Sequence, residues 1–261
     1  MKKFSDMEAE NKILILTDFT QTCYDSVSYG LEISHFYGLR AVVFHAENSC
    51  GYDVLQKEKT EEVVSLYNQK FNMGASLVIK QGTFEDTVME EIKSTKFLFV
   101  ILGTHGKSGY QSLTGSFAAK LVIALRIPIL VLQNRRFLPV HKVLFPFFKA
   151  TGISEEYFSD VLPLVRTFKN AELHLVCRPE AKENAEKFIS MFLKDVEDVK
   201  YSLSVLSGTQ PLAKQVAAYC AAENIEMIFN YPPQNDTVQM HTVFEQLMFN
   251  IQQIPVMCKY F

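Results

Sequence analysis

The feature that most constrains the fold is an internal repeat, in which the second half of the chain copies the layout of the first. Three anchors recur in the same order in both halves: Lys12–Asp18 with Lys142–Phe148, Gly82-Thr83 with Gly208-Thr209, and Ile127–Ile129 with Ile254–Val256. Anchors that recur in one order predict two copies of one unit, each about as long as an ordinary domain.

Each copy alternates short apolar runs with longer stretches that suit helices. Strands are predicted at 12–18, 40–46, 76–80, 97–102 and 128–132, and again at 142–147, 171–176, 201–206, 225–230 and 255–259. Helices are predicted at 21–37, 54–72, 84–95 and 114–126, and at 154–169, 180–194, 211–222 and 240–251. Apolar strands that alternate with helices are typical of a parallel sheet with both faces covered.

We therefore expect an α/β fold of two tandem doubly wound domains, each a five-stranded parallel sheet with helices on both faces. The boundaries are predicted at 1–134 and 141–261, with 135–140 as a linker that carries Arg135, Arg136 and Pro139. Gly38 is expected to end the first helix and Thr83 to cap the third. The repeat also predicts that the two domains pair pseudo-symmetrically, as two identical subunits would.

Composition narrows the function classes. The net charge is −3 and no Lys/Arg run forms a stripe, so no nucleic-acid partner is expected. The longest apolar region, 121–132, is interrupted by Arg126 and Pro128 and is too short to cross a membrane. Five dispersed cysteines without CxxC spacing fit buried thiols in a reducing cytoplasm, with no metal site.

The best indication of function is a glycine-rich loop after the fourth strand. Gly103, Thr104, His105 and Gly106 follow the apolar run 97–102, and Gly115-Ser116 precedes the next helix. Such a loop can hold phosphates, because its N–H groups converge and the helix adds its positive end. Neither a Walker A motif, which needs glycine where Ile101 stands, nor a GxGxxG fingerprint is present.

Together with Asp18 at the end of the first strand, this order of motifs resembles the universal stress protein family. ATP-binding members of that family carry G-x2-G-x9-G-[ST], which Gly103, Gly106, Gly115 and Ser116 match. Here eight residues instead of nine separate Gly106 from Gly115. Either the flexible loop absorbs the difference, or the shorter loop misplaces Ser116.

The resemblance implies a site for ATP or another adenine nucleotide, with Mg²⁺, in the first domain. Asp18 would lie near the ribose or base, and the backbone of His45 and Ala46 would flank the base. Phosphates would bind around Gly103, Gly106 and Ser116, with Thr104, His105 and Gly115 in the same loop. No catalytic residue is predicted, because no nucleophile accompanies an Asp18–His105 pair.

The loop at the corresponding place in the second half predicts no nucleotide there. Residues 230–236 contain two prolines and no glycine, and Phe148 stands where Asp18 stood. The spacing of 25 residues from 103 to 128 recurs from 230 to 255, so Asn230 is matched to Gly103.

The resulting hypothesis is a cytoplasmic stress-response protein. It would bind an adenine nucleotide in the first domain and act as a regulatory or interaction module toward an unidentified protein partner, with a homodimer as a further option. Two alternatives stay open: a nucleotide-free interaction scaffold, and a weak ATP hydrolase or phosphotransferase that uses the same loop.

Overall fold

The computed structural model describes residues 11–47, 54–103, 125, 127–132, 135–147, 155–193, 198–231 and 254–259. The chain divides into unit 1, residues 1–139, and unit 2, residues 140–261. In the part of the chain that is described, no helix is long and apolar enough to cross a membrane.

Unit 1 is a parallel sheet built from the apolar runs of the first half. Its strands are β1 (Lys12–Leu16), β2 (Arg40–Glu47), β3 (Ser76–Gln81), β4 (Phe99–Gly103) and β5 (Ile129–Leu132). They lie in the order β3-β2-β1-β4-β5 with parallel neighbours. The described helices are α1 (Gln21–Tyr37), α2 (Val54–Phe71) and α3 (Phe84–Ser94).

Unit 2 repeats this arrangement with its own strands. These are β6 (Lys142–Phe147), β7 (Glu172–Cys177), β8 (Tyr201–Val205), β9 (Met227–Asn230) and β10 (Val256–Cys258), in the parallel order β8-β7-β6-β9-β10. Its described helices are α4 (Glu155–Thr167), α5 (Lys182–Phe188) and α6 (Leu212–Glu223). The predicted α/β fold is confirmed, while the helices predicted at 114–126 and 240–251 lie outside the described residues apart from Leu125.

Local sequence signals predicted several helix ends correctly. Gly38 ends α1 in the left-handed conformation at φ 65°, and the Thr83 hydroxyl accepts a hydrogen bond from the Asp86 N–H at the start of α3. The described bounds lie mostly within two residues of the predicted ones, and two of the differences have a structural cause. The strand predicted to reach residue 18 ends at Leu16, because the chain turns at Thr17; the helix predicted at 180–194 is α5 followed by a π-helix, Ile189–Leu193.

Candidate functional site

Four of the predicted site residues, Asp18, His45, Ala46 and Gly103, lie with Thr17 at what we define as the carboxyl edge of unit 1. Strand register brings them together, since Leu16 pairs with Phe44 on β2 and with Leu102 on β4. The next residues, Thr17, His45 and Gly103, therefore lie side by side, just after β1, two residues before the end of β2, and at the end of β4. Ligands of open α/β sheets bind at such an edge, where the strand order reverses beside the first strand.

A tight turn from β1 to α1 presents Asp18. The buried Thr17 N–H donates to the Phe44 carbonyl over 3.0 Å, and the Thr17 hydroxyl accepts from the Phe19 N–H over 3.0 Å. Phe19 adopts the left-handed conformation at φ 61°, which is uncommon for a residue with a side chain. The turn holds Asp18 at the surface, while Phe19 is buried beneath it.

Hydrogen bonds favour the charged form of Asp18. Its carboxylate accepts from the Thr20 N–H over 2.9 Å, and it also accepts from the side chains of Cys23 and Thr20. Partial burial alone would raise the pKa of Asp18, but these hydrogen bonds outweigh it and hold the pKa below its ordinary value. Burial and the charge of Asp18 raise the pKa of the Cys23 thiol to about 12, so Cys23 stays a neutral donor.

The side chain of His45 faces the turn. Its Nδ1 lies 2.8 Å from the Thr17 carbonyl oxygen, so Nδ1 carries the hydrogen of this bond. Its ring packs on the Phe19 ring with centroids 4.1 Å apart. His45 and Ala46 are both buried, at 7% and 8% exposure, so the role implied for them, backbone beside a base, requires their main chain and not their side chains.

The remaining residues of the predicted site fall beyond what the structure describes. Gly103 ends β4, where it pairs with Leu132. Thr104, His105, Gly106, Gly115 and Ser116 lie outside the described residues, so the structure brings together Asp18, His45, Ala46 and Gly103 of the predicted set. Among the described residues, no group of three or more His, Cys, Asp and Glu could hold a metal ion.

The strand register shifts the match between the ends of β4 and β9 by one residue from the match made by counting along the sequence. Leu14 pairs with Val100 in unit 1, and its repeat counterpart Leu144 pairs with Ile228 in unit 2. The N–H of Val100 donates to the Pro128 carbonyl, as that of Ile228 does to the Pro255 carbonyl. Tyr231, and not Asn230, therefore stands in the place of Gly103. Counting along the loop was wrong because the second connection is one residue shorter.

Aromatic side chains occupy the carboxyl edge of unit 2. Phe147 takes the place of Thr17, Cys177 that of His45, and Tyr231 that of Gly103. Tyr231 is 3% exposed and lies parallel to the Phe145 ring, which also packs on Phe147 and Phe188. This aromatic cluster of unit 2, Phe145, Phe147, Phe188 and Tyr231, fills the described part of this edge with ring side chains where unit 1 has Thr17 and Gly103. Phe148 itself lies outside the described residues.

A separate polar cluster lies between the sheet of unit 2 and α6. The Nδ1 of buried His174 is 2.9 Å from the Tyr219 hydroxyl, which is 3.3 Å from the Ser204 hydroxyl. The Nε2 of His174 lies 3.6 Å from a Glu172 carboxylate oxygen. The burial of His174 lowers its pKa. His174 lies in the middle of β7, and sequence reasoning did not find this cluster.

The comparisons with known proteins identify the fold. No model of a protein family matches the sequence, and no curated protein matches it significantly. A universal stress protein from Archaeoglobus fulgidus is similar in structure, with a TM-score of 0.69, 16% identity, and coverage of 96% of this chain and 98% of that one. A putative universal stress protein from Pseudomonas aeruginosa has a TM-score of 0.59 and 10% identity, covering 98% and 95%. This chain thus has the fold of universal stress proteins.

Proposed function

We propose that this chain is a stress-response protein of the universal stress protein type that binds ATP or a related adenine nucleotide through unit 1. The observation that carries the proposal is the ionised Asp18, held in a fixed turn beside the end of β2 and next to Gly103. A charged acceptor at this edge suits the hydroxyl and amino donors of a nucleoside.

The division of labour in this proposal follows from the chemistry of each group. Asp18 accepts from the ribose or base, and the main chain of His45 and Ala46 flanks the base. N–H groups of the glycine-rich loop hold the phosphates, whose charge Mg²⁺ neutralises. Unit 2 takes no nucleotide, because Phe147, Cys177 and Tyr231 replace the polar edge.

The bound nucleotide would set the state of a regulatory or interaction module in the cytoplasm. Several statements stay predictions from the sequence: that the two units pair, that the chain forms a homodimer, and that it has an unidentified protein partner. The expected absence of nucleic-acid and membrane partners is also a prediction from the sequence. The scaffold and the weak ATP hydrolase or phosphotransferase are the alternatives that experiment must separate from this proposal.

Calorimetric titration of the dialysed full chain with MgATP tests the proposal. We expect one site per chain, and Asp18→Asn should weaken binding at least about tenfold, because hydrogen bonds to a charged group contribute about 1.5–3 kcal/mol. Glu62→Gln removes an exposed carboxylate from α2 and should leave the dissociation constant unchanged.

The other outcomes decide between the alternatives. A chain that takes up no MgATP would support the nucleotide-free scaffold. Two sites per chain would contradict the assignment of unit 2. Steady turnover of ATP that Asp18→Asn abolishes, with binding retained, would favour the hydrolase.

A further inference from the structure

We propose that His45 is a positioning residue, which fixes the turn that carries Asp18 and so sets the nucleotide affinity of unit 1. The inference rests on the proposed function, since it concerns the same site. It goes beyond the role predicted for His45, which involved only its main chain.

The imidazole of His45 makes its hydrogen bond where the ladder of β1 stops. The last ladder pair is Leu16 with Phe44, and the Thr17 N–H still donates to the Phe44 carbonyl. The Thr17 carbonyl then accepts from Nδ1 of His45 over 2.8 Å. That carbonyl belongs to the planar peptide that joins Thr17 to Asp18, so this bond fixes the orientation of the peptide from which Asp18 begins.

The same ring also supports the far side of the turn. Phe19 adopts φ 61°, and its buried ring lies 4.1 Å from the ring of His45 between centroids. A left-handed conformation is unfavourable at a residue with a side chain, so surrounding contacts must stabilise it. His45 contacts the turn on both sides of Asp18, through Thr17 and through Phe19.

Unit 2 offers an internal comparison. Cys177 takes the place of His45 and Phe148 the place of Asp18. A thiol is a weak donor and cannot replace an imidazole N–H. The donor and the carboxylate that it would position are therefore replaced together in the second copy.

A double-mutant cycle in the full chain tests whether His45 acts through Asp18. His45→Phe keeps a ring against Phe19 but removes the donor, whereas His45→Asn places an amide N–H near the position of Nδ1. We expect His45→Phe to weaken MgATP binding about tenfold and His45→Asn to restore most of that loss. In the Asp18→Asn background, His45→Phe should change the dissociation constant less than about twofold.

His35→Phe is the matched control, because His35 also stacks on a phenylalanine, Phe71, with centroids 4.1 Å apart, at the other end of α1. It should leave MgATP binding unchanged. Equal losses from His45→Phe with and without the Asp18 carboxylate would overturn the proposal, since the two residues would then act independently.

Hydrogen exchange gives a readout that needs no nucleotide. The buried Phe19 N–H bonds to the Thr17 hydroxyl within the turn. In ligand-free protein, His45→Phe should speed exchange of this amide about tenfold relative to His35→Phe, and His45→Asn should not. An unchanged rate would overturn the proposal. If wild-type protein fails to bind MgATP, the proposed function fails, and this exchange measurement alone decides the role of His45.

Discussion

The two units share one strand order but differ at the edge where such sheets bind ligands. The carboxyl edge of unit 1 carries Thr17, Asp18, His45 and Gly103, whereas unit 2 has Phe147, Cys177 and Tyr231 at the corresponding described positions. The buried strand residues below are mostly apolar in both units. The difference shows that a repeat can keep its strands and their order while the residues at its carboxyl edge change.

The largest effect should come from truncating the aromatic cluster of unit 2. Phe145 is fully buried against Phe147, Phe188 and Tyr231. Phe145→Ala should lower the free energy of unfolding by about 3–5 kcal/mol, through lost burial and the cavity left behind. Urea unfolding measures the change, and Leu66→Ala, at a side chain that is 54% exposed, should cost less than about 0.5 kcal/mol. A tolerated Phe145→Ala would mean that this edge is not packed as described.

Exchanging the residues at the Gly103 position tests the comparison in both directions. Gly103→Tyr should abolish MgATP binding in unit 1, because the ring would occupy the place where the backbone approaches the phosphates. Tyr231→Gly should destabilise unit 2 by about 3 kcal/mol and create no second site, since Phe147 and Cys177 supply no polar group.

Gly74→Ala is the control for these exchanges, because a Cβ at Gly74 meets no atom within 4 Å. Titration calorimetry counts the sites in each variant. A second MgATP site in Tyr231→Gly would show that a single side chain separates the two edges.

The hydroxyl of Thr17 should matter for both stability and binding. Thr17→Val leaves the buried N–H of Phe19 without its acceptor, which costs about 1–3 kcal/mol. MgATP affinity should fall as well, because the turn around Asp18 loosens. Thr87→Val removes a hydroxyl that donates to the Thr83 carbonyl on α3. It should leave affinity unchanged, and equal effects of the two variants on binding would contradict the role of the turn.

The polar cluster of unit 2 predicts a pH dependence that unit 1 lacks at the same position. Burial is the main cause that lowers the pKa of His174 below its ordinary value of 6.5. The charge of Lys142 also lowers this pKa, whereas the charges of Glu172 and Glu223 raise it. Below pH 6.5 the unfolded chain takes up a proton that the folded chain resists. The free energy of unfolding therefore decreases as the pH is lowered, by at most about 1.4 kcal/mol per pH unit.

His174→Val should remove this part of the pH dependence, because Val42 holds the equivalent position on β2. Urea unfolding of wild type and variant between about pH 7.5 and about pH 5 isolates the contribution, since all other histidines are shared. A wild-type chain that loses no more stability than His174→Val on acidification would contradict it.

The smallest effect concerns the threonines of the Gly-Thr anchors. Thr83 caps α3 through its hydroxyl, whereas α6 begins after Pro211 without a side-chain cap. Thr83→Ala should cost about 1 kcal/mol and Thr209→Ala less than about 0.5 kcal/mol, measured by thermal unfolding. Equal losses would mean that the two anchors serve the same purpose.

Local patterns predicted much of this fold, because apolar runs, the glycine after α1 and the threonine before α3 act within a few residues. Asp18 could be predicted from its place after a strand. His45 and Cys23 contact the Asp18 turn because the strand register and the first turn of α1 bring them there. Short-range sequence patterns do not reveal these contacts. The match of Asn230 with Gly103 was wrong for the same reason, since only the hydrogen-bonded ladders show that the two connections differ in length.

The buried ring of Tyr231 has a consequence for how the halves respond to heat. Side chains fill the carboxyl edge of unit 2, so we expect nucleotide in solution to add nothing to the stability of this unit. If unit 1 binds the nucleotide, its stability should rise with each increase in nucleotide concentration. Calorimetric scans in rising MgATP would then move the unfolding of unit 1 to higher temperature and leave the midpoint of unit 2 constant.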